Sequence, residues 1–108
     1  MDAGGCDPDR LRDLEALAAL FEELVVTMGL QVLGTPQWHR FPSPGGVTGL
    51  ALLSESHLAI HTFPEHGFAA LNVYCCRARP PADFAPVLAR HLGATSCQVR
   101  ELPRGSAR

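Results

Sequence analysis

Three apolar stretches, "VTGLALLS", "HLAIHTF" and "FAALNVYCC", follow one another between Val47 and Cys76 with only a few residues between them. This spacing leaves the chain few choices. A parallel crossover needs a dozen or more residues, so strands joined this closely pair antiparallel. Such strands need one face covered, and the sequence supplies the cover. From Asp7 to Met28, Leu11, Leu14, Leu17, Ala18, Phe21, Leu24 and Val25 recur at intervals of three and four. That is the single stripe of an amphipathic helix. Asp7-Pro8 is a capping residue followed by proline at the first helical position, and Gly29 is its stop.

The remaining segments fill in the pattern. "LQVLGTPQWHRF" reads as a strand interrupted from Gly34 to Pro36, and "PSPGG" at 42–46 as a loop. A second helix is predicted from about Pro81 to Gly93, then a final strand in "TSCQVREL" and a loose tail. The order helix, strands, helix, strand predicts an α+β fold: an antiparallel sheet with two helices packed on one face. The length is that of a single domain, residues 1–108.

Composition excludes some functions. The net charge is −2, there is no lysine, and the arginines are scattered. No basic patch for nucleic acid is expected, and the arginines read as solvated surface. No apolar run reaches the ~18–20 residues of a membrane span, and the N-terminus lacks a signal-peptide pattern, so a cytoplasmic protein is expected. Cys6, Cys75, Cys76 and Cys97 show no CxxC spacing and are expected to be thiols.

One stretch is too rich in titratable groups for an ordinary core strand. "LLSESHLAIHTFPEHGF", residues 52–68, holds His57, His61 and His66 with Ser54, Ser56, Glu55 and Glu65. His57 and His61 share a strand face but lie roughly 13 Å apart, too far to hold one metal ion, so no metal is expected. Neither serine sits in a G-x-S-x-G elbow, so a hydrolase triad is weakly supported. A hairpin folding the next strand back would carry Cys75 and Cys76 toward the serine and histidine.

These residues resemble a known family. "ESHLAIHTFPEHGFAALNVYCC" is similar to the core motif of the prokaryotic S-adenosylmethionine decarboxylases: Glu-Ser-His, then His-Thr-aromatic-Pro-Glu, then Gly-aromatic-Ala-Ala, with a Cys twenty residues after the Ser, as Cys76 follows Ser56. "HRF" at 39–41, "GGVTG" at 45–49 and "GCDPDRLRD" extend the likeness over nearly the whole chain. The resemblance implies a proenzyme that cuts itself between Glu55 and Ser56 into a β chain, 1–55, and an α chain, 56–108. Ser56 would attack the Glu55 carbonyl, and the resulting ester would eliminate to leave a pyruvoyl group derived from Ser56. His61 matches the processing base, and Thr48 a hydroxyl that assists the ester step. The pyruvoyl ketone would form a Schiff base with the amine of S-adenosylmethionine, and Cys76 would reprotonate carbon after carbon dioxide leaves. Phe41 and Phe63 match the aromatic pair that stacks on adenine, and Glu65 an acid that holds the nucleoside. The product would be the aminopropyl donor of spermidine synthesis. The resemblance also implies a homodimer of processed αβ protomers.

The chain departs from that pattern at Asn72, where Asp is usual, at Arg77, where Gly is usual, and at Phe63, which replaces a common Trp. "MDAGGC" reads as a poor strand, so the family's first strand is expected to be missing. Related pyruvoyl enzymes act on ornithine or arginine, which is the alternative substrate. An alternative of another class is a non-processing pseudoenzyme or binding partner.

Overall fold

The computed structural model describes residues 1–75 and 83–104. Among these, the strands are β1 (Asp2–Gly4), β2 (Gln37–Arg40), β3 (Val47–Leu53), β4 (Ser56–Phe63), β5 (Phe68–Tyr74) and β6 (Ser96–Gln98). The helices are α1 (Pro8–Leu11), α2 (Leu14–Met28) and α3 (Ala85–Leu92), with a 3₁₀ turn at Pro64–His66. The strands form one sheet in the order β2-β3-β4-β5-β1-β6, and every neighbouring pair is antiparallel.

Strand alternation sorts the side chains into two faces. Ala3, Val47, Ala51, Leu53, Leu58, Ile60, Ala69 and Leu71 are buried in one core with Leu17, Leu20, Phe21 and Leu24 of α2 and Val87, Leu88 and Leu92 of α3. The helices therefore cover one face, as the periodicity predicts. The other face carries Thr48, Leu50, Leu52, His57, Ala59, His61 and Phe63, and is open.

Two expectations need correction. The single helix over Asp7–Met28 is two helices. Asp13 breaks it: its carboxylate accepts from the Glu15 amide at 3.0 Å and caps α2, as Asp7 caps α1 through the Asp9 amide at 2.9 Å. The strand expected to be missing is present as β1, held between β5 and β6. Its residues are small because Ala3 is fully buried, and its stability comes from backbone pairing on both sides. The Met1 nitrogen donates to the Leu71 carbonyl at 2.7 Å, and the Leu71 amide to the Met1 carbonyl at 2.8 Å. A strand built this way has no apolar alternation to read. The helix predicted from Pro81 begins at Ala85 among the described residues, where Asp83 accepts from the Ala85 amide at 3.2 Å. The predicted interruption at 34–36 stands, and ahead of it Val32 makes only an isolated bridge to Leu53.

The "PGGVTG" segment is shaped by close approach. A Cβ on Gly46 would lie 2.6 Å from the Thr62 carbonyl oxygen, and one on Gly49 would lie 2.2 Å from the Trp38 ring. Thr62, the buried polar residue of this core among the described residues, then ties three elements together. Its Oγ1 accepts from the Val47 amide at 2.9 Å and donates to the Leu11 carbonyl at 2.8 Å. Arg12 donates to the Pro44 carbonyl at 2.7 Å, and Arg40 donates to the Arg12 carbonyl. These contacts seat the 42–46 loop against α1 and fix the start of β3.

Candidate active site

The open face carries Thr48, His61 and Phe63 of the residues singled out from the sequence, and Phe41, Glu55, Ser56 and Glu65 lie at its ends. It is unusually apolar for a surface: Leu52 is 59% exposed, Leu50 45% and Phe63 41%. Cross-strand register arranges its side chains in rows. One row runs His39, Thr48, His61, Ala70. Another runs Leu52, His57, Tyr74. These rows lie near opposite ends of β4.

At the first end, Thr48 Oγ1 is 3.1 Å from His61 Nδ1, a direct cross-strand pair. The Phe41 ring stands edge-on to His39, centroids 4.6 Å apart, and the Phe41 amide donates to the Gly46 carbonyl at 2.8 Å. Phe63 pairs with Phe68, ring centroids 6.0 Å apart. Glu65 lies exposed in the 3₁₀ turn that follows, beside His66. Thr48, His61, Phe41, Phe63 and Glu65 thus gather at one end of the sheet.

The second end is the hairpin between β3 and β4. Leu53 pairs with Ser56, leaving Ser54 and Glu55 as a two-residue turn. The turn is anchored from outside: the Ser54 amide donates to the Gln31 carbonyl at 2.9 Å, and the Leu33 amide to the Leu52 carbonyl at 2.8 Å. Ser56 is partly buried, and its Oγ lies 3.3 Å from His57 Nδ1. The His57 ring packs on Tyr74 with centroids 5.7 Å apart, and the Arg104 guanidinium lies 5.9 Å from the Tyr74 ring centre.

The hairpin does not bring Ser56 to His61. They are five residues apart on one extended strand, which separates them by about 16 Å at roughly 3.3 Å per residue. The expected approach of a thiol to the serine fits the register, since Tyr74 pairs with His57 and Cys75 follows at the Ser56 end, but strand β4 holds His61 in a separate cluster. Cys76, the expected proton donor, and Arg77 lie outside the described residues. Cys75 is partly buried at the margin of the core, and Cys6 is buried, which pushes its thiol pKa up. Burial also raises Cys97. Asn72 is exposed on the open face opposite Ala59.

Sequence reasoning named His57 without giving it a role, met His39 only within the "HRF" resemblance, and passed over Tyr74. The signal for His57 and Tyr74 was strand register: pairing Leu53 with Ser56 sets His57 beside Leu52 on the open face, and the β4–β5 register sets Tyr74 opposite it. A groove of about 480 Å³ lined by Phe21, Glu22, Val25, Val32 and Trp38 lies on the helix side and includes none of the predicted site residues. No helix among the described residues is long and apolar enough to cross a membrane.

Comparison with known proteins places this geometry. The family described as S-adenosylmethionine decarboxylase matches residues 1–105. The S-adenosylmethionine decarboxylase proenzyme of Geobacillus sp. (strain WCH70) is 43% identical over 101 residues, covering 94% of this chain and 80% of that protein. The proenzyme of Shouchella clausii is 42% identical over 102 residues, covering 94% and 78%. The crystal structure of the adenosylmethionine decarboxylase from Aquifex aeolicus superposes with a TM-score of 0.66 at 27% identity, covering 96% of this chain and 92% of that one.

Proposed function

The chain belongs to the S-adenosylmethionine decarboxylase family, and from that premise we propose that it cuts itself between Glu55 and Ser56 and then decarboxylates S-adenosylmethionine. The observation that carries the cut site is its place in the fold. The Glu55–Ser56 bond lies at the corner of a two-residue hairpin, where Ser56 is the first residue of β4 and pairs with Leu53 at the end of the ladder. Processing there gives up the Ser56 amide at the end of the ladder and leaves the pairs from Leu52–His57 to Thr48–His61 in place. The serine is half-buried, and its Oγ lies 3.3 Å from the ring of His57 on the open side, so a pyruvoyl group formed from Ser56 would lie at the edge of that face, within reach of a substrate on it. When present, that ketone supplies the electron sink for release of carbon dioxide.

The side chains have separate tasks. Thr48 holds His61 through the 3.1 Å contact, which fixes the imidazole for removal of the Ser56 α-proton during processing. Phe41 and Phe63, both half-exposed at the same end, present flat faces suited to a purine and to a neighbouring sulfonium. Glu65 lies close enough in sequence to hold hydroxyl groups of the same nucleoside. Cys76 returns a proton to carbon, a task suited to a thiol titrating near working pH.

The separation of Ser56 from His61 makes a second copy part of this reading. Two copies packed by their open faces, with β4 strands running in opposite directions about a two-fold axis, set the Ser56 end of each against the His61 end of the other. Both half-sites are then completed at once, and Leu50, Leu52 and Phe63 leave water. The pair so formed works in the cytoplasm.

Intact mass of the purified protein tests the cut, and carbon dioxide release from S-adenosylmethionine, ornithine and arginine tests the substrate. The expected result is two chains, 1–55 and 56–108, the second carrying a ketone in place of its amine, with turnover of S-adenosylmethionine. A single uncut chain overturns the reading. Cut chains that turn over only ornithine or arginine overturn its substrate.

A further inference from the structure

Self-cleavage at Ser56 requires two proton transfers of different kind. The hydroxyl proton must leave as oxygen attacks the Glu55 carbonyl. Later the α-proton must leave as the ester eliminates. His61 is about five strand residues, roughly 16 Å, from Ser56 within one copy and is already engaged by Thr48. It can serve the α-carbon only from across a paired face.

We infer that His57 is the catalytic base of the first step, taking the Ser56 hydroxyl proton while His61 serves the second; this rests on the self-cleavage reading above. Neighbouring residues on a strand normally point to opposite faces. Ser56 is the first residue of β4, directly after the turn at the end of the ladder, and its Oγ lies 3.3 Å from His57 Nδ1. The ring has little freedom to leave. It is partly buried and packed on Tyr74, its direct cross-strand partner.

The step balances without a co-reactant. The Ser56 Oγ–H proton passes to His57 Nδ1 as Oγ bonds to the Glu55 carbonyl carbon. The tetrahedral centre collapses and the bond from that carbon to the Ser56 nitrogen breaks. The imidazolium returns its proton to the departing nitrogen. The product is an ester between Glu55 and Ser56 with a free amine on Ser56. The acceptor role assigns the remaining ring proton to Nε2.

The test follows the full chain synthesised in a cell-free translation reaction, with samples quenched over time and split with and without hydroxylamine, which severs esters. Wild type should cut. His61→Ala should stall as a chain that hydroxylamine breaks at residue 55. His57→Ala and His57→Gln should cut at least roughly a hundredfold more slowly, the lower range for a positioned general base, and should not accumulate the hydroxylamine-sensitive species. Added imidazole should restore part of the rate to His57→Ala. His57→Gln keeps a polar side chain against Tyr74, so a loss of rate in both variants with rescue of the smaller one separates chemistry from folding. Wild-type cutting in either His57 variant, accumulation of ester in them, or loss of rate without imidazole rescue overturns the inference and leaves the self-cleavage reading standing. A wild-type chain that stays whole overturns both.

Discussion

Replacing Thr62 by Val keeps the shape of the side chain and removes its hydroxyl. In this fold that hydroxyl accepts from the Val47 amide and donates to the Leu11 carbonyl, at 2.9 and 2.8 Å, in a site only 4% exposed. Water cannot replace it there. The variant leaves one buried donor and one buried acceptor unpaired, at roughly 1–3 kcal/mol each, so about 2–4 kcal/mol together allowing for some relaxation. A domain of this size is stable by only about 5–15 kcal/mol. Each kcal/mol moves the melting temperature by about 4–8 °C, so Thr62→Val should lower it by roughly 8–32 °C. Thr62→Ser keeps both hydrogen bonds and loses one methyl group, about 1 kcal/mol, and should fall far less. Both are best measured by thermal circular dichroism in a Ser56→Ala background, which is expected to remain one chain. A Thr62→Val melt within 3 °C of the background refutes the reasoning. So does a Thr62→Ser variant that falls as far as Thr62→Val, since that would make packing the cause.

Cys76→Ala should still cut at residue 55 but turn over S-adenosylmethionine at least about a hundredfold more slowly; wild-type turnover removes Cys76 from the chemistry. Leu50→Asp puts a carboxylate in the centre of the open face, where Leu50 is 45% exposed in one copy and would be buried in the pair. It should leave the melting temperature of a single copy nearly unchanged, shift sedimentation to one copy and abolish cutting and turnover together; a variant that stays paired and active refutes face-to-face packing. Glu23 accepts from His91 at 2.8 Å and is paired with Arg90, and the His91 hydrogen bond first, with Arg90 beside it, holds the Glu23 carboxyl below the usual carboxylate range. A lowered carboxyl stabilises the fold above its unfolded value, and that contribution disappears as pH falls through the folded value. Glu23→Gln should therefore melt below wild type at neutral pH, and the two curves should converge in acid; a constant difference at every pH refutes the assignment.

The legible part of the fold is the part written in side-chain contrast. β3, β4 and β5 alternate buried and exposed residues and are joined by short loops, so both their existence and their pairing could be read. β1 could not, because Asp2, Ala3 and Gly4 earn their place through backbone pairing on two sides and offer no apolar pattern. The break at Asp13 hid inside an apolar stripe that continues across it, since Leu11 and Leu14 face the same core. For the site, residue types and spacing were legible through family resemblance, while their grouping was not. Ser56 and His61 look adjacent in sequence, and only the extended geometry of β4 shows that they belong to different ends of a sheet. His57 drew no role from the pattern because its contact with Ser56 depends on Ser56 ending a ladder.

The placement of the cut also bears on how two chains could remain one protein. On the proposed reading the β chain carries β1, α1, α2, β2 and β3, and the α chain carries β4, β5, α3 and β6. In the sheet order β2-β3-β4-β5-β1-β6 these do not form two halves. The β chain meets the α chain at the β3–β4 boundary, again at β5–β1, and again at β1–β6. The strand β1 is threaded between two α-chain strands, so neither fragment can peel away from one edge without also breaking pairs elsewhere. The helices repeat the interleaving, because Leu17, Leu20 and Leu24 of the β chain share a core with Val87, Leu88 and Leu92 of the α chain. Assembling that arrangement from separate fragments would require β1 to enter between strands already side by side. A single precursor avoids this by folding first, with the Ser54–Glu55 turn setting the β3–β4 register. Cleavage after folding then removes a covalent link that the ladder no longer needs, and places the new chain end at the end of the β3–β4 ladder, where only the terminal pair is affected.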